Sequence, residues 1–243
     1  MAGTCIITGA SRGIGAAAAR MAGAAGYAVM VNYANDAAAA DKVASGITAS
    51  GGKAITHQAD VADEAAVVAM FDRAEAELGP LTALVNNAGI LKQKARLEEM
   101  DADRINRVLE INVTGSLICA REAVRRIKTG GAIVNLSSRA AVLGSPNEFI
   151  DYAASKGAID AMTIGLSKEV AERNIRVNAV RPGLIDTEIH ASAGDPDRAF
   201  RMSSMVPMQR TGSAEEVAEV ILWLLSDSAS YVTGTLIDVS GGR

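Results

Sequence analysis

Seven short apolar segments recur along this chain, and a helical pattern separates each one from the next. The segments are Thr4–Thr8, Ala28–Asn32, Ala54–His57, Ala83–Asn86, Ala132–Leu136, Arg176–Val180 and Thr235–Val239. They lack a clear polar alternation, which indicates strands that are covered on both faces, as in a parallel sheet. The helical stretches are Gly13–Ala25, Asp36–Ser50, Asp63–Leu78, Ala102–Lys128, Tyr152–Glu172 and Ala214–Leu225. We therefore expect one doubly wound α/β domain over residues 1–243, with a seven-stranded parallel sheet and helices on both faces.

Capping residues mark the starts of two helices, and one irregular insertion interrupts the alternation of strands and helices. Asp63 is suited to cap the third helix, and Ser213 with Glu216 forms a capping-box pattern at the start of the last helix. Between the sixth strand and the last helix, the segment 188–207 carries Gly194-Asp195-Pro196-Asp197 and breaks the alternation. We interpret residues 188–210 as a substrate lid.

Charge, cysteine and histidine content exclude several classes of function. The net charge is -4 with no dense run of Lys or Arg, so neither nucleic acid nor an anionic membrane surface is an expected partner. Cys5 and Cys119 lie in apolar segments without metal-ligand spacing, and His57 and His190 are the only histidines. We expect no metal site, no membrane span, no signal peptide and a reducing cytoplasmic location.

A glycine-rich turn follows the first strand and opens the first helix. In Thr8-Gly9-Ala10-Ser11-Arg12-Gly13-Ile14-Gly15, Gly9 permits the tight turn, while Gly13 and Gly15 remove side chains where backbone and ligand approach. A Rossmann-type sheet places a dinucleotide pyrophosphate at this point, against the N-terminus of the helix. We therefore expect Gly9, Ser11, Arg12, Gly13, Ile14 and Gly15 to bind a cofactor; the alternative is a strand-to-helix turn with nothing bound.

Tyr152 and Lys156 are four residues apart, a spacing that places both side chains on one face of a helix. A fixed positive charge stabilises a phenolate, so we expect Lys156 to lower the pKa of Tyr152 toward the working range of an acid-base catalyst. Ser138 follows the fifth strand and would reach the same edge of the sheet. A phenol and a hydroxyl converging on one carbonyl oxygen suit hydride transfer, in which that oxygen gains negative charge.

Three motifs together resemble the short-chain dehydrogenase/reductase family: Thr8-Gly-x-x-x-Gly-x-Gly15, Asn86-Asn87-Ala88-Gly89 and Tyr152-x-x-x-Lys156. The resemblance extends over essentially the whole chain and is closest to the group with 3-oxoacyl-carrier-protein reductases and glucose 1-dehydrogenases. It implies that Asp60 and Val61 contact the adenine, that Asn86, Ala88 and Gly89 line the adenosine side, and that Thr187, with Pro182, Gly183 and Ile185, holds the nicotinamide carboxamide. It further implies that Lys156 grips the nicotinamide ribose, that Asn112 holds a water for proton relay, and that the chain forms a homotetramer.

The choice of cofactor is usually decided at the end of the second strand, where a carboxylate would bind the ribose 2′-hydroxyl. This chain has Asn32-Tyr33-Ala34-Asn35 there, with Arg12 in the glycine turn, so donors and a positive charge would meet a 2′-phosphate. We favour NADP(H) over NAD(H), with Asn32 and Tyr33 as contacts. The alternative is that Arg12 is a solvated arginine and Asn32 a strand-end cap, and Asp36 is near enough to keep NAD(H) open.

The expected function is an NADP(H)-dependent oxidoreductase that acts on a small carbonyl compound or secondary alcohol, with Tyr152 as general acid and base. Ser137 is the lesser candidate for the serine, because the interval from Ser138 to Tyr152 is one residue longer than the family usually has. That extra residue falls in the loop Gly144–Asp151 and would reshape the pocket wall. The alternatives are a non-catalytic nucleotide-binding regulator on the same fold and an NAD-preferring sugar dehydrogenase. A carrier protein that presents the substrate would use Arg125, Arg126, Lys128 and Arg173 as a basic rim.

Overall fold

The seven expected strands form one parallel sheet in the order β3-β2-β1-β4-β5-β6-β7. The strands are β1 (Thr4–Ile7), β2 (Ala28–Tyr33), β3 (Lys53–Gln58), β4 (Leu81–Asn86), β5 (Ala132–Leu136), β6 (Arg176–Pro182) and β7 (Leu236–Val239). The computed structural model describes residues 3–189, 194–195 and 197–243. The predicted doubly wound sheet is confirmed. The chain order reverses between β1 and β4, so the crevice at their carboxyl ends is the switch point where such sheets bind ligands.

Helices cover both faces of the sheet. They are α1 (Gly13–Ala24), α2 (Ala37–Ala49), α3 (Glu64–Leu78), α4 (Ala102–Leu109), α5 (Ser116–Arg126), α6 (Ala140–Leu143), α7 (Ile150–Glu169), α8 (Arg198–Arg201) and α9 (Ala214–Leu225). One buried cluster joins the sheet to α1, α2 and α9, and a second joins it to α3 and α5. None of the helices in the described ranges is long and apolar enough to cross a membrane.

Alternation along each strand explains how one sheet supports two cores. In β1, Cys5 and Ile7 pack into the cluster with α1, while Ile6 between them packs into the cluster with α3. In β4, Leu84 likewise faces the second cluster while its neighbours face the first. Because successive strand side chains point to opposite faces, a continuous apolar run is what a doubly covered strand requires.

The expected caps are present at two helices. The Asp63 carboxylate accepts from the backbone N–H of Ala66 at 3.1 Å. At α9 the Ser213 hydroxyl accepts from Glu216 N at 3.2 Å, and Glu216 Oε2 accepts from Ser213 N at 2.8 Å, which completes the capping box. These bonds satisfy N–H groups that the first helical turn leaves without partners.

The predicted helix Ala102–Lys128 differs from the structure in its middle. Residues Glu110–Gly115 form a π-helical segment between α4 and α5, so the rod is continuous but its hydrogen-bond register changes. Asn112, buried in this segment, is held by groups outside the helix, as described below. Tertiary contacts of this kind are a common cause of π segments, which often lie at functional sites.

The segment interpreted as a lid is less irregular than its sequence suggests. It contains the short helix α8 and a 3₁₀ turn at Ser203–Met205. Residues 190–193 and 196 of the expected lid, His190 among them, lie outside the described residues. At its far end Met208 N donates to Gly241 O at 3.1 Å, which ties the segment to the chain after β7.

Candidate active site

A cavity of about 1010 Å³ lies at the carboxyl edge of the sheet. Residues that follow all seven strands line it, including Gly9, Ala34, Asp60, Asn87, Ser138, Gly183 and Arg243. Parallel strands end at the same edge, so residues far apart in the sequence meet here. The cavity lies where the strand order predicts a ligand site.

The glycine turn forms one end of this cavity. Gly9 and Gly13 have φ of 62° and 53°, a region in which residues with side chains are strained. A Cβ on Gly13 would lie 3.4 Å from Thr187 Cγ2, so the segment after β6 passes directly over the turn. Ser11, Arg12 and Ile14 line the cavity with these two glycines, as expected. The turn therefore leaves room for a ligand against the start of α1.

Gly15 has a different role from the other glycines. It is buried and does not line the cavity; a Cβ there would lie 2.4 Å from Asn87 Nδ2 and 2.5 Å from Gly9 O. The Asn87 amide needs this space, because its Nδ2 donates to Thr8 O at 2.8 Å and to Gly9 O at 2.9 Å. Gly15 thus allows the turn to be tied to the end of β4, a correction to its expected contact with the cofactor.

The side chains of Asn86 and Asn87, at the end of β4, point in opposite directions. Asn87 lines the cavity with Ala88 and Gly89. Asn86 is buried behind it, where its Nδ2 donates to Asn135 Oδ1 at 3.0 Å and to a backbone carbonyl of the helix behind at 3.1 Å. The expectation for Asn86 is corrected: the lining amide belongs to Asn87, because consecutive residues in an extended segment face opposite ways.

The Asn32 side chain is also hydrogen-bonded within the protein. Its Oδ1 accepts from Gly9 N at 3.1 Å, and its Nδ2 donates to the backbone carbonyls of Ala59 at 3.1 Å and His57 at 3.3 Å. Although Asn32 forms part of the cavity wall, it is only 1% exposed. Its expected contact with a 2′-phosphate is therefore corrected to a structural one: it joins the glycine turn to β3.

The residues that line the cavity wall beside β2 differ from those that the sequence predicted. Tyr33 does not line the cavity, whereas Ala34, Asn35 and Asp36 do. Asp36 caps α2 by accepting from Ala39 N at 2.9 Å. Asn35 and Arg12 are exposed here, so a cation and an amide stand where the ribose of a dinucleotide would lie. Asn35 belongs to the same strand-end segment as Asn32 and Tyr33, the two expected contacts.

Asp60 and Val61 line the cavity after β3, as expected. Asp60 Oδ2 accepts from Arg107 Nη2 at 2.5 Å, and Asp60 Oδ1 accepts from Ala62 N at 3.0 Å. Burial raises the pKa of Asp60, but these hydrogen bonds outweigh burial and hold the pKa below its ordinary value. Arg107 on α4 also lines the cavity, and no sequence signal distinguished it from a solvated helix residue.

The expected catalytic side chains meet at the centre of the cavity. Tyr152 lies in the first turn of α7 and Ser138 just after β5, both line the cavity, and Ser138 lies near enough to the phenol to lower its pKa. Lys156 Nζ lies 5.5 Å from the centroid of the Tyr152 ring and donates to Leu136 O at 2.6 Å. Ser137 also lines the cavity, but its hydroxyl donates to Lys156 O at 3.2 Å, so the contact with the phenol belongs to Ser138.

Burial is the main cause of the pKa shifts of Tyr152 and Lys156. It raises the pKa of Tyr152, and the hydrogen bond with Ser138 lowers it only in part. Burial also lowers the pKa of Lys156 to about 8, opposed by the carboxylate of Asp160 one turn further along α7. The expected lowering of the phenol pKa by Lys156 is thus not found in this structure, where burial raises that pKa and Ser138, not Lys156, opposes it.

Asn112 is completely buried and does not line the cavity. Its Oδ1 accepts from Ile90 N at 2.8 Å, and its Nδ2 donates to Ile90 O and to Ser155 Oγ, each at 3.1 Å. Ser155 Oγ in turn donates to the backbone carbonyl of Tyr152 at 2.7 Å. These bonds join the loop after β4 to the helix that carries Tyr152, and the water contact of Asn112 stays a prediction.

The segment after β6 closes the other side of the cavity. Pro182, Gly183, Ile185 and Thr187 all line it, as expected. Gly183 is required for packing, since a Cβ there would lie 2.8 Å from Ser240 Cα. This close approach brings the chain after β7 beside the cavity, where Arg243 also lines it.

Among the described residues, no group of three or more His, Cys, Asp or Glu side chains is placed to hold a metal ion. His57 lies on β3, and the expectation for His190 falls outside the described part of the chain. Cys5 and Cys119 are buried free thiols. Burial raises the pKa of Cys119 to about 12, so it is held as a neutral thiol at physiological pH.

The chain matches the family model described as enoyl-(acyl carrier protein) reductase over residues 9–243. An uncharacterized oxidoreductase of Escherichia coli, YgfF, is 57% identical to it over 243 residues, covering 98% of each chain. Glucose 1-dehydrogenase 2 of Bacillus subtilis is 37% identical over 242 residues, covering 98% of this chain and 93% of that protein. A solved short chain dehydrogenase from Burkholderia cenocepacia in complex with NADP has a TM-score of 0.92 and 35% identity, covering 99% of this chain and 97% of that chain.

Proposed function

The chain belongs to the short-chain dehydrogenase/reductase family, and from this we propose that it is an NADP(H)-dependent oxidoreductase of a carbonyl compound or secondary alcohol. The observation that carries the proposal is that Tyr152, Ser138 and Lys156 line one cavity together with the glycine turn, with Lys156 Nζ 5.5 Å from the centroid of the Tyr152 ring. Two hydroxyl groups that meet in a concave site can donate to one oxygen atom of a substrate.

The cavity residues fit a dinucleotide. Gly9 and Gly13 adopt positive φ and keep side chains away from the start of α1, where a pyrophosphate would meet backbone N–H groups. Ser11, Arg12 and Ile14 would bind beside them, with Asp60 and Val61 at the adenine. Ala88 and Gly89 support the adenosine side, and Pro182, Gly183, Ile185 and Thr187 the nicotinamide side. When bound, a nicotinamide dinucleotide supplies or accepts the hydride.

Preference for NADP(H) rests on Arg12 and Asn35. Both are exposed at the wall beside β2, where a planar guanidinium and an amide suit a 2′-phosphate. Asp36 lines the same wall, but its carboxylate already accepts from Ala39 N at the start of α2. The related structure from Burkholderia cenocepacia is a complex with NADP, which favours the same choice for this chain.

Each catalytic side chain has a distinct proposed role. Tyr152 donates its proton to the carbonyl oxygen in reduction and, as phenolate, accepts the hydroxyl proton in oxidation. Ser138 donates a hydrogen bond to the same oxygen as negative charge develops there. Lys156 lies beneath the phenol and supports the ribose end of the cofactor, while Asn112 positions the tyrosine through Ser155. Burial keeps the Tyr152 phenol protonated at neutral pH, which suits its role as the acid in reduction.

Replacing Tyr152 tests this proposal. Tyr152→Phe should abolish turnover in both directions while nucleotide affinity changes little, because the ring is kept and only the hydroxyl is lost. Absorbance of the reduced nicotinamide, followed with NADPH and NADH against a broad panel of carbonyl compounds, gives the measurement. Tyr231→Phe is the matched control, since the Tyr231 side chain is fully exposed. Tight NADPH binding without turnover of any carbonyl compound would instead favour a nucleotide-binding regulator.

A carrier protein is not the favoured partner. Arg125 and Arg126 bind Glu122, and Arg173 donates to backbone carbonyls at the end of α5. Three of the four side chains of the expected basic rim therefore already have partners within the protein. We propose a free small molecule as the substrate.

We further propose a homotetramer in a reducing cytoplasm. Ile164 on α7, Trp223 on α9 and Leu117 on α5 are between 39% and 48% exposed, which is unusual for large apolar side chains on helices. Burial of these faces between copies of the chain would remove them from water. Light scattering tests the assembly, and a stable monomer would contradict it. The buried free thiols Cys5 and Cys119 suit a reducing compartment.

A further inference from the structure

Two arginines, Arg198 and Arg243, line the same cavity as Tyr152 and Ser138. They come from separate segments: Arg198 begins α8, and Arg243 follows β7. Neither belongs to the glycine turn or to the wall beside β2, where the cofactor is proposed to lie. The two guanidinium groups therefore belong to the substrate end of the cavity.

Arg198 is held close to the catalytic tyrosine. Its Nη2 donates to Glu148 Oε2 at 2.6 Å, and its guanidinium carbon lies 5.3 Å from the centroid of the Phe149 ring. Phe149 forms an apolar cluster with Leu91, against which Tyr152 packs. Arg198 and the Tyr152 ring thus both contact the apolar cluster that Phe149 belongs to.

The chain after β7 fixes Arg243 on the same side. Met208 N donates to Gly241 O, and a Cβ on Gly242 would lie 3.1 Å from Pro207, so this segment packs tightly against the end of the lid. Burial lowers the pKa of Arg243, and repulsion from Arg198 adds to this while Glu148 opposes it. The positive charges of Arg198 and Arg243 are therefore close enough to repel each other.

The described carboxylates do not balance these charges. Glu148 is shared by Arg198 and by Lys94, whose Nζ lies 3.2 Å from Glu148 Oε1. Arg139, the third arginine nearby, is paired with Asp238 at 2.5 Å. Within residues 3–189, 194–195 and 197–243, no carboxylate pairs with Arg243, and the buried Nε–H of Arg198 has no hydrogen-bond partner. Positive charge in a concave, partly dry site favours an anion.

We propose that Arg198 and Arg243 bind a carboxylate of the substrate, so that the enzyme acts on carbonyl compounds that carry a carboxylate. This rests on the proposed function, because the reacting carbonyl must lie at Tyr152. A guanidinium matches a carboxylate with two parallel hydrogen bonds. A singly charged group suits the site better than a phosphate dianion, because the Glu148 carboxylate also faces it.

The remaining lining describes the rest of the substrate. Apolar side chains also line the cavity, namely Leu91, Leu143, Phe149, Ile189, Met202 and Met205. They would bury the body of an oxo acid, while the two arginines fix its charged end. The cavity thus combines an apolar lining with one charged end, which the sequence did not reveal.

Matched pairs of probes test the inference. The pairs are 4-oxopentanoate with its methyl ester and 4-formylbenzoate with its methyl ester, which differ in charge and little in shape. Binding is measured by calorimetry on wild-type enzyme saturated with the oxidised nucleotide, so no turnover occurs. We expect at least one carboxylate to bind about tenfold more tightly than its ester. If neither carboxylate binds more tightly than its ester, the inference is wrong.

Substitutions assign the effect to the two arginines. Arg198→Gln and Arg243→Gln should each remove the preference for the carboxylate and leave ester binding within about twofold of wild type. Arg201→Gln is the matched control on the same helix, because Arg201 is exposed and pairs with Asp195 at 2.6 Å. Unchanged ester binding shows that the cavity is intact, and a preference that survives both substitutions overturns the inference.

The binding test separates this inference from the proposed function. Arginine-dependent carboxylate binding without any reduction of the probes by NADPH or NADH would support the anion site and count against the oxidoreductase. Reduction of the esters as readily as the acids would support the oxidoreductase and overturn the anion site.

Discussion

Arg104 on α4 holds the carboxylate of Asp151, the residue before Tyr152, with Nε 2.8 Å from Oδ2. Asp151 Oδ1 also accepts from the backbone N–H of Tyr152 at 2.9 Å. The two side chains are 14% and 2% exposed, so this ion pair is shielded from water. It fixes the first turn of α7 against α4, and thereby the position of the phenol.

Asp151→Asn should both destabilise the protein and slow catalysis. Loss of one partner leaves the Arg104 charge buried and unpaired, at a cost of about 3 kcal/mol in the free energy of unfolding. We expect kcat to fall more than KM rises, because the tyrosine loses its anchor. Urea unfolding and steady-state kinetics give the two measurements. Glu77→Gln is the control, since Glu77 pairs with Arg73 on the surface and should have little effect on either; equal effects of the two substitutions would contradict this role.

The two directions of the reaction should respond oppositely to pH. Oxidation of an alcohol needs the phenolate, so kcat/KM should rise with pH through the alkaline range, because burial raises the pKa of Tyr152. Reduction uses the protonated phenol beside a charged Lys156, so its rate should fall as pH rises through about 8, where Lys156 loses its proton. Ser138→Ala removes a hydrogen bond that lowers the phenol pKa, and should move the oxidation limb to higher pH. If the rise of kcat/KM for oxidation stayed at the same pH in Ser138→Ala, the assignment of that rise to the Tyr152 phenol would be wrong.

Arg12→Ala should reduce kcat/KM for NADPH about tenfold and change that for NADH little, because only NADPH carries the phosphate that a guanidinium binds. The measurement is the ratio of the two values for wild type and variant. Arg20→Ala on α1 is the matched control, since Arg20 is exposed and does not line the cavity. An equal loss for both nucleotides would show that Arg12 does not select the cofactor.

Two glycine substitutions should have opposite effects. In Gly15→Ala the new methyl group would meet Asn87 and Gly9 at 2.4 and 2.5 Å, so we expect a loss of about 2 kcal/mol and weaker nucleotide binding. In Gly46→Ala, on α2, nothing lies within 4 Å, and we expect a gain of about 0.5–1 kcal/mol from helix propensity. Denaturant midpoints at equal protein concentration give both values. Similar changes in the two variants would contradict the packing role of Gly15.

The sheet was predictable because its signals are local. Apolar runs, glycine turns and caps depend on residues near each other in the chain, whereas the strand order depends on pairing between distant segments and came from the structure. The same applies to Ser138, Tyr152 and Lys156, which lie at strand ends or on one helix face. The choice between Ser137 and Ser138 required the structure, which shows the hydroxyl of Ser137 turned to the backbone of Lys156.

The errors concern side chains whose partners are distant in sequence. Asn32 is polar and at a strand end, as a phosphate contact would be, yet Gly9 and Ala59 occupy its amide. Asn86 and Asn87 are indistinguishable by composition, and only the fold decides which faces the cavity. Arg198 and Arg243 lie 45 residues apart, and no spacing rule connects them.

The π segment Glu110–Gly115 has a consequence for how α4 and α5 tolerate change. A π turn holds one more residue than an α turn of the same rod, so every side chain beyond it is rotated about the axis relative to those before it. Removal of a single residue there would restore an ordinary helix and turn α5 by roughly 100°, moving Cys119 and Ala123 out of their core cluster. A one-residue deletion would therefore rotate all of α5 relative to α4. A point substitution in either helix would change only the contacts of one side chain.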